Sequence, residues 1–146
     1  MSDTQDLLTG VATMISGVAS DILWTPNTVG GGIAMKTMPD NPDRIVVLNA
    51  IPQTDDAVLP MGNWMIQIAG RGARGNPLDV DGFMDGIFLI LHGATNLTFG
   101  ALHVAQMSRY SSIPMGQDEA VRNIRIDKYS LDLDFPGTAA RPASGF

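Results

Sequence analysis

Two histidines, a cluster of aspartates and two glycine-rich turns are the residues of this chain that could do chemistry. His92 and His103 are the candidates for a general base or a metal ligand. No HxH or HxxxH spacing joins either one to a second ligand, which argues against zinc. His92 ends a helical pattern, where a cation would complement the dipole, and His103 sits between Leu102 and Val104 in a strand pattern. Both read as structural. Asp79, Asp81 and Asp85 gather at the start of a helical pattern, and Asp40 and Asp43 flank a turn. Paired carboxylates can serve acid–base or Mg²⁺ chemistry, but helix starts and turns select aspartate for backbone reasons alone. The glycines at 30–32 and the GRGARG run at 70–75 could cradle phosphate, yet neither is followed by Lys-Ser/Thr and neither satisfies GxGxxG. Arg71 and Arg74 could clamp an anionic ligand, or they could meet the acidic Asp55 and Asp56 of another copy. On an acidic chain we favour the second. Ser111 and Ser112 lack a nucleophile-elbow context. The residues therefore predict no catalytic site, no cofactor and no metal.

What must position these residues follows from periodicity. Leu7, Leu8, Val11, Ile15, Val18 and Ile22 recur at helical spacing and predict a helix over residues 4–20. Residues 33–38 read as a short strand before the turn PDNPD. A strand at 44–50 is almost continuously apolar, as a strand covered on both faces should be. A strand at 61–69 alternates, with Trp64, Ile66 and Ile68 opposed to Asn63, Met65 and Gln67. Asp79 is the expected N-cap of a second helix over 80–92, and Gly93 its stop. Residues 97–109 predict one strand, 110–118 a loop, and 121–133 the last strand. In that last strand Ile124 and Ile126 share one parity while Tyr129, Leu131 and Leu133 take the other, which predicts a bulge near residues 127–128. The sum is an α+β, two-layer domain over residues 1–136: a mainly antiparallel β-sheet with two helices packed on one face. Residues 137–146 read as a flexible tail.

Composition narrows the function class. A net charge of −6 argues against a protein that binds nucleic acid over its whole surface. The absence of cysteine removes disulfides, thiolate nucleophiles and Cys-ligated metal. No basic leader is visible in MSDTQDLL, and no apolar run nears the roughly 20 residues of a membrane helix, so a soluble, intracellular protein is expected. Only 16% of residues are charged, which leaves much neutral surface and favours a subunit that assembles. Trp24, in a loop before Thr25-Pro26, is a candidate interface anchor, and Arg109 and Tyr110 are further contact candidates.

Three short elements carry a resemblance: PDNPDR at residues 39–44, LHG at 91–93, and SIPMGQD at 112–118. In this order and spacing the chain resembles the minor capsid or tail-terminator proteins of long-tailed bacteriophages, particularly those of actinobacterial hosts, over residues 7–135. One departure is that Ile51 precedes Pro52 where the family pattern has an aromatic. The resemblance implies a virion protein that forms a homo-oligomeric ring, commonly a hexamer, on the head-proximal end of the tail tube. Its implied partners are the tail tube protein and the head–tail connector, with genomic DNA passing through the lumen without specific binding. It supplies no catalytic residues. A head–tail connector or stopper protein of the neck is the alternative within phage assembly, and a small anion-binding module using Arg71 and Arg74 is the alternative outside it.

Overall fold

A computed structural model describes residues 2–25, 31–55 and 61–134. The predicted tail at 137–146 lies outside the described residues, as does Asp56. The elements run α1 (Asp3–Ile15), β1 (Ile33–Met35), β2 (Ile45–Asp55), β3 (Met61–Arg71), α2 (Asp79–Leu91), β4 (Thr95–Phe99), β5 (Leu102–Gln117) and β6 (Asn123–Asp134). They form one six-stranded sheet in the order β1-β2-β3-β6-β5-β4, antiparallel except for the β1–β2 pair. Both helices pack on the same face, giving the expected α+β architecture.

Each element has a local cause. α1 begins with a capping box that the sequence reading missed: the Ser2 hydroxyl accepts from the Gln5 N–H while the Gln5 side chain accepts from the Ser2 N–H. Leu7, Leu8, Val11, Ala12 and Ile15 form its buried stripe. The helix stops at Ile15, five residues short of expectation, and Gly17 turns the chain at φ +90°. α2 buries Val80, Phe83, Met84, Ile87 and Leu91, and Gly93 at φ +83° ends it as predicted. Asp79 is not the N-cap. Leu78 holds that position, and the Asp79 carboxylate instead accepts from the Arg44 guanidinium at 2.9 Å and the Ala73 N–H at 2.8 Å.

The strands bring three corrections. The predicted strand at 97–109 is a hairpin, because Gly100 at φ +61° and Ala101 form a two-residue turn that pairs Phe99 with Leu102. Its apolar residues run across the turn without a break, which hid the reversal. The predicted loop at 110–118 is the outer half of β5, paired with β6 as far as Gln117. Finally, β6 has no bulge at 127–128, and its register with β3 is unbroken from Ile124 to Asp134. The apparent change of phase arises because Arg125 and Asp127 occupy the buried parity, in line with Tyr129, Leu131 and Leu133. Extra residues fall in β5 instead, between Val104 and Gln106, Arg109 and Ser111, and Pro114 and Gln117.

The core lies between the helices and the sheet, with Trp64, Ile66 and Ile68 of β3 pointing into it as their alternation predicts. β2 is buried on both parities, since Ile45, Val46, Val47 and Leu48 are all nearly inaccessible. No second layer is needed at Ile45, where the loop through Pro39 and Pro42 lies alongside.

Candidate assembly site

Arginine–carboxylate pairs organise two regions of the subunit. At one end of the sheet, the buried Arg122 guanidinium donates to Asp118 Oδ2 at 2.8 Å, the Asp40 carbonyl at 2.8 Å, Asp43 Oδ1 at 3.0 Å and Asp40 Oδ1 at 3.1 Å. Arg71, only 3% exposed, donates through Nε to the Asp43 carbonyl at 2.9 Å. Its Nη2 reaches the carbonyls of Pro42 and Asp40 at 2.7 and 3.2 Å. Backbone carbonyls of a turn have no ladder partner, so a planar, permanently charged fork satisfies several at once. Arg74 pairs with Asp43 at 3.0 Å, and Arg44 bridges Asp79 and Asp21.

Those contacts account physically for the three sequence elements that carried the resemblance. PDNPDR and SIPMGQD are distant in the chain, yet Arg122 binds both, reaching Asp40 across 82 residues of sequence. In LHG, Leu91 is core, the Gly93 N–H donates to the Met107 carbonyl, and His92 Nδ1 accepts from the Arg109 N–H at 3.0 Å. The His92 ring also stacks on Phe88 at 4.6 Å. His103 bridges Asp134 and Asn96 through its two ring nitrogens at 2.8 and 2.7 Å. Both histidines are thus engaged in hydrogen bonds within the subunit, His92 as an acceptor at Nδ1.

The second region lies beneath α2. Asp127, with no exposed surface, accepts from Arg125 Nε and Nη2 at 2.9 and 3.0 Å and from the Ser112 hydroxyl at 2.6 Å. Arg125 also reaches Asp85 at 2.9 Å and Asp81 at 3.2 Å, which ties the first turns of α2 to β6. Burial disfavours the Arg125 cation, but its hydrogen bonds to Asp127 and Asp85 outweigh that and hold its pKa above the ordinary arginine value. Arg109 lies over the Phe88 ring at 4.1 Å, a cation–π contact. None of this was legible as a site, because Arg125 and Asp127 looked like the polar positions of an alternating strand.

The expected contact residues are dispersed. Arg71 cannot serve as an exposed basic contact, because its guanidinium is consumed inside its own chain by the turn carbonyls. That corrects the picture of an open Arg71 and Arg74 patch and leaves only Arg74, half exposed, at the surface. Asp55 closes β2 at the far end of the β2–β3 pair, opposite Arg71, and its side chain lies outside the described residues. Eleven-residue strands set those ends roughly 35 Å apart. Trp24 is half-buried, packed on the core margin, and it lines a groove of about 380 Å³ with Ile33, Met35, Pro39, Pro42 and Ile45. Tyr110 is 70% exposed on the outer half of β5, beside the partly covered Arg109. No group of three or more metal-ligating side chains occurs among the described residues. Nor, among them, is any helix long and apolar enough to cross a membrane.

No protein-family model matches the chain. No curated protein matches it either. Among solved structures it is similar to a chain from "Virion of native gene transfer agent (GTA) particle", with a TM-score of 0.69 at 11% identity. The superposition covers 92% of this chain and 99% of the other. At that identity the likeness is one of fold.

Proposed function

We propose that this chain is a structural virion protein, a ring-forming subunit that caps the tail tube at its head-proximal end, stops tube polymerisation and offers a docking face to the head connector. The observation that carries the reading is the fold shared, over almost the whole of both chains, with a chain of a gene transfer agent virion. The sequence resemblance to tail terminators points the same way and adds the position within the particle. The chemistry of the chain is consistent with both. Its buried arginines and carboxylates satisfy one another or the backbone, so they stiffen the subunit rather than face a substrate.

A ring subunit must present two unlike patches, one for each neighbour. An acidic chain also suits a DNA conduit, since a lumen that bound phosphate tightly would retard passage. The test is electron microscopy of particles from cells lacking the gene. Overlong tails without heads are expected. Tails of normal length would instead favour the second reading, a connector or stopper joined to the head, which the same fold likeness admits.

A further inference from the structure

We infer that the subunit meets its own next copy through the free outer edge of β5, at Ser111, Ser112 and Ile113, laid against β1 and the apolar groove beside it. The inference rests on the ring reading above and names the contact that the ring would use.

Among the described residues both edges keep a stretch that no strand of the same copy covers, and they are unlike. On its outer side β5 is paired with β4 only from Leu102 to Gln106, and the Arg109 N–H is taken by His92. Beyond Arg109, among the described residues, no strand pairs with that side of β5. Tyr110, Ile113 and Met115 stand 70%, 47% and 55% exposed along it. At the other edge of the sheet, β1 is paired with β2 on its inner side. On its outer side, among the described residues, Leu23 bridges to Gly32 at the strand's start and the Met35 carbonyl accepts from the Thr37 N–H, and no named strand pairs with that side. The sheet order therefore places the two free edges on opposite sides of the subunit, as a head-to-tail contact requires.

Lengths and surfaces match. Free strand edges are normally blunted, and β5 has an extra residue at Tyr110 and a proline at 114, which cannot donate. The regular stretch left between them is Ser111–Ser112–Ile113, three residues long, and β1 has three residues, Ile33–Met35. Across the face away from the helices, cross-strand partners form one row: Ala34, Val47, Ala69, Ile126 and Ile113. That apolar row runs from one sheet edge to the other, and pairing Ile113 with the next copy's Ala34 continues it. Charge selects the same surfaces. Copies carrying −6 each repel overall, and a contact between uncharged surfaces adds no like-charge pair to that repulsion. Neither the stretch from Tyr110 to Gln117 nor the lining of the groove contains an Asp, Glu, Lys or Arg.

The chain has no cysteine, so engineered pairs report without background. Within one copy, four strand spacings separate Ala34 from Ile113, roughly 19 Å, whereas a disulfide needs Cα atoms within about 7 Å. The doubly substituted full chains Ala34→Cys/Ile113→Cys and Ala34→Cys/Ser111→Cys would replace the natural chain in particle-producing cells, and purified tails would be oxidised. A ladder of cross-linked copies is expected from at least one pair, with none from the single substitutions. Dimers from Ile113→Cys alone would reveal a two-fold contact and overturn the inference. Tails that incorporate the double variant but yield no ladder would overturn this contact while leaving the ring reading intact. Tails carrying a single copy of the chain would overturn both. As a second measurement, Ile113→Glu should abolish incorporation with no fall in the melting temperature. Leu89→Glu, on exposed α2, should leave incorporation unchanged; an Ile113→Glu chain that still assembles would refute the contact.

Discussion

Replacing Arg125 by Met should strand Asp127 beneath α2. The carboxylate has no exposed surface and holds a bidentate contact with Arg125 at 2.9 and 3.0 Å. Removing one partner of a buried ion pair costs about 3–5 kcal/mol, most of it from the charge left without its counterion. Two groups soften the loss here: the Ser112 hydroxyl at 2.6 Å remains, and Arg109 Nη1 lies 3.9 Å away. The exposed Asp81 and Asp85 add little, since water screens them. The expected cost is therefore near the low end, about 3 kcal/mol. For a chain of this size that corresponds to a fall of roughly 6–12 °C in melting temperature. Urea denaturation followed by circular dichroism measures the first quantity and a thermal scan the second. The double variant Arg125→Met/Asp127→Leu removes both charges and should recover most of the loss, to within about 1 kcal/mol of the natural chain. Should the single variant lose less than about 1 kcal/mol, or the double variant fare no better than the single, the buried pair does not organise this face.

Three other outcomes follow from the same structure. Arg71→Ala removes two buried charged donors from the 40–43 turn and should cost roughly 3–6 kcal/mol by urea denaturation, whereas Arg74→Ala should cost distinctly less; equal effects would mean that Arg71 is not the turn's anchor. In acid, a hydrogen bond from Arg74 holds the Asp43 carboxyl below its ordinary 3.8. Desolvation opposes ionisation of Asp118, but hydrogen bonds from Arg122 outweigh it and lower that pKa as well. A carboxylate depressed in the folded state stabilises the fold above its unfolded pKa and loses that contribution as pH falls through the folded value. The natural chain should therefore lose stability more steeply below about pH 4 than Arg74→Ala, and parallel curves would contradict the assignment. In alkali, burial pushes the Tyr129 phenol well above its ordinary 10.0, so ionisation of this group costs the fold nothing below that pH and lowers its stability progressively as pH rises beyond it. Its hydroxyl has no hydrogen-bond partner among the described residues. Tyr129→Phe should flatten the alkaline limb and raise stability at neutral pH by up to about 1 kcal/mol; a clear loss would show that the hydroxyl is satisfied.

Much of the architecture was legible in one dimension. Apolar spacing located both helices, and the alternation in β3 named its buried face, because burial on one side forces periods of 3.6 and 2 upon the sequence. The errors occurred where local signals had two readings. Gly100 could sit within a weak strand or turn a hairpin, and only the pairing of Phe99 with Leu102 decides. Ser, Pro and Gly at 111–116 look like a loop, and they form a strand because β6 offers a partner along their length.

The sequence by itself determined the α+β class, the acidic charge, the absence of thiol chemistry and the lack of a catalytic motif, since these depend on composition and near-neighbour spacing. Tertiary structure alone decided which charges are available. Arg71 and Arg74 are near twins in sequence, yet one is buried on turn carbonyls and the other is half exposed. Arg125 and Asp127 lie where the apolar parity of the last strand changes in sequence, and they form the buried pair under α2. The physical reason is common to both cases. Whether a charge faces water or a counterion depends on groups brought from tens of residues away, and no local pattern records them.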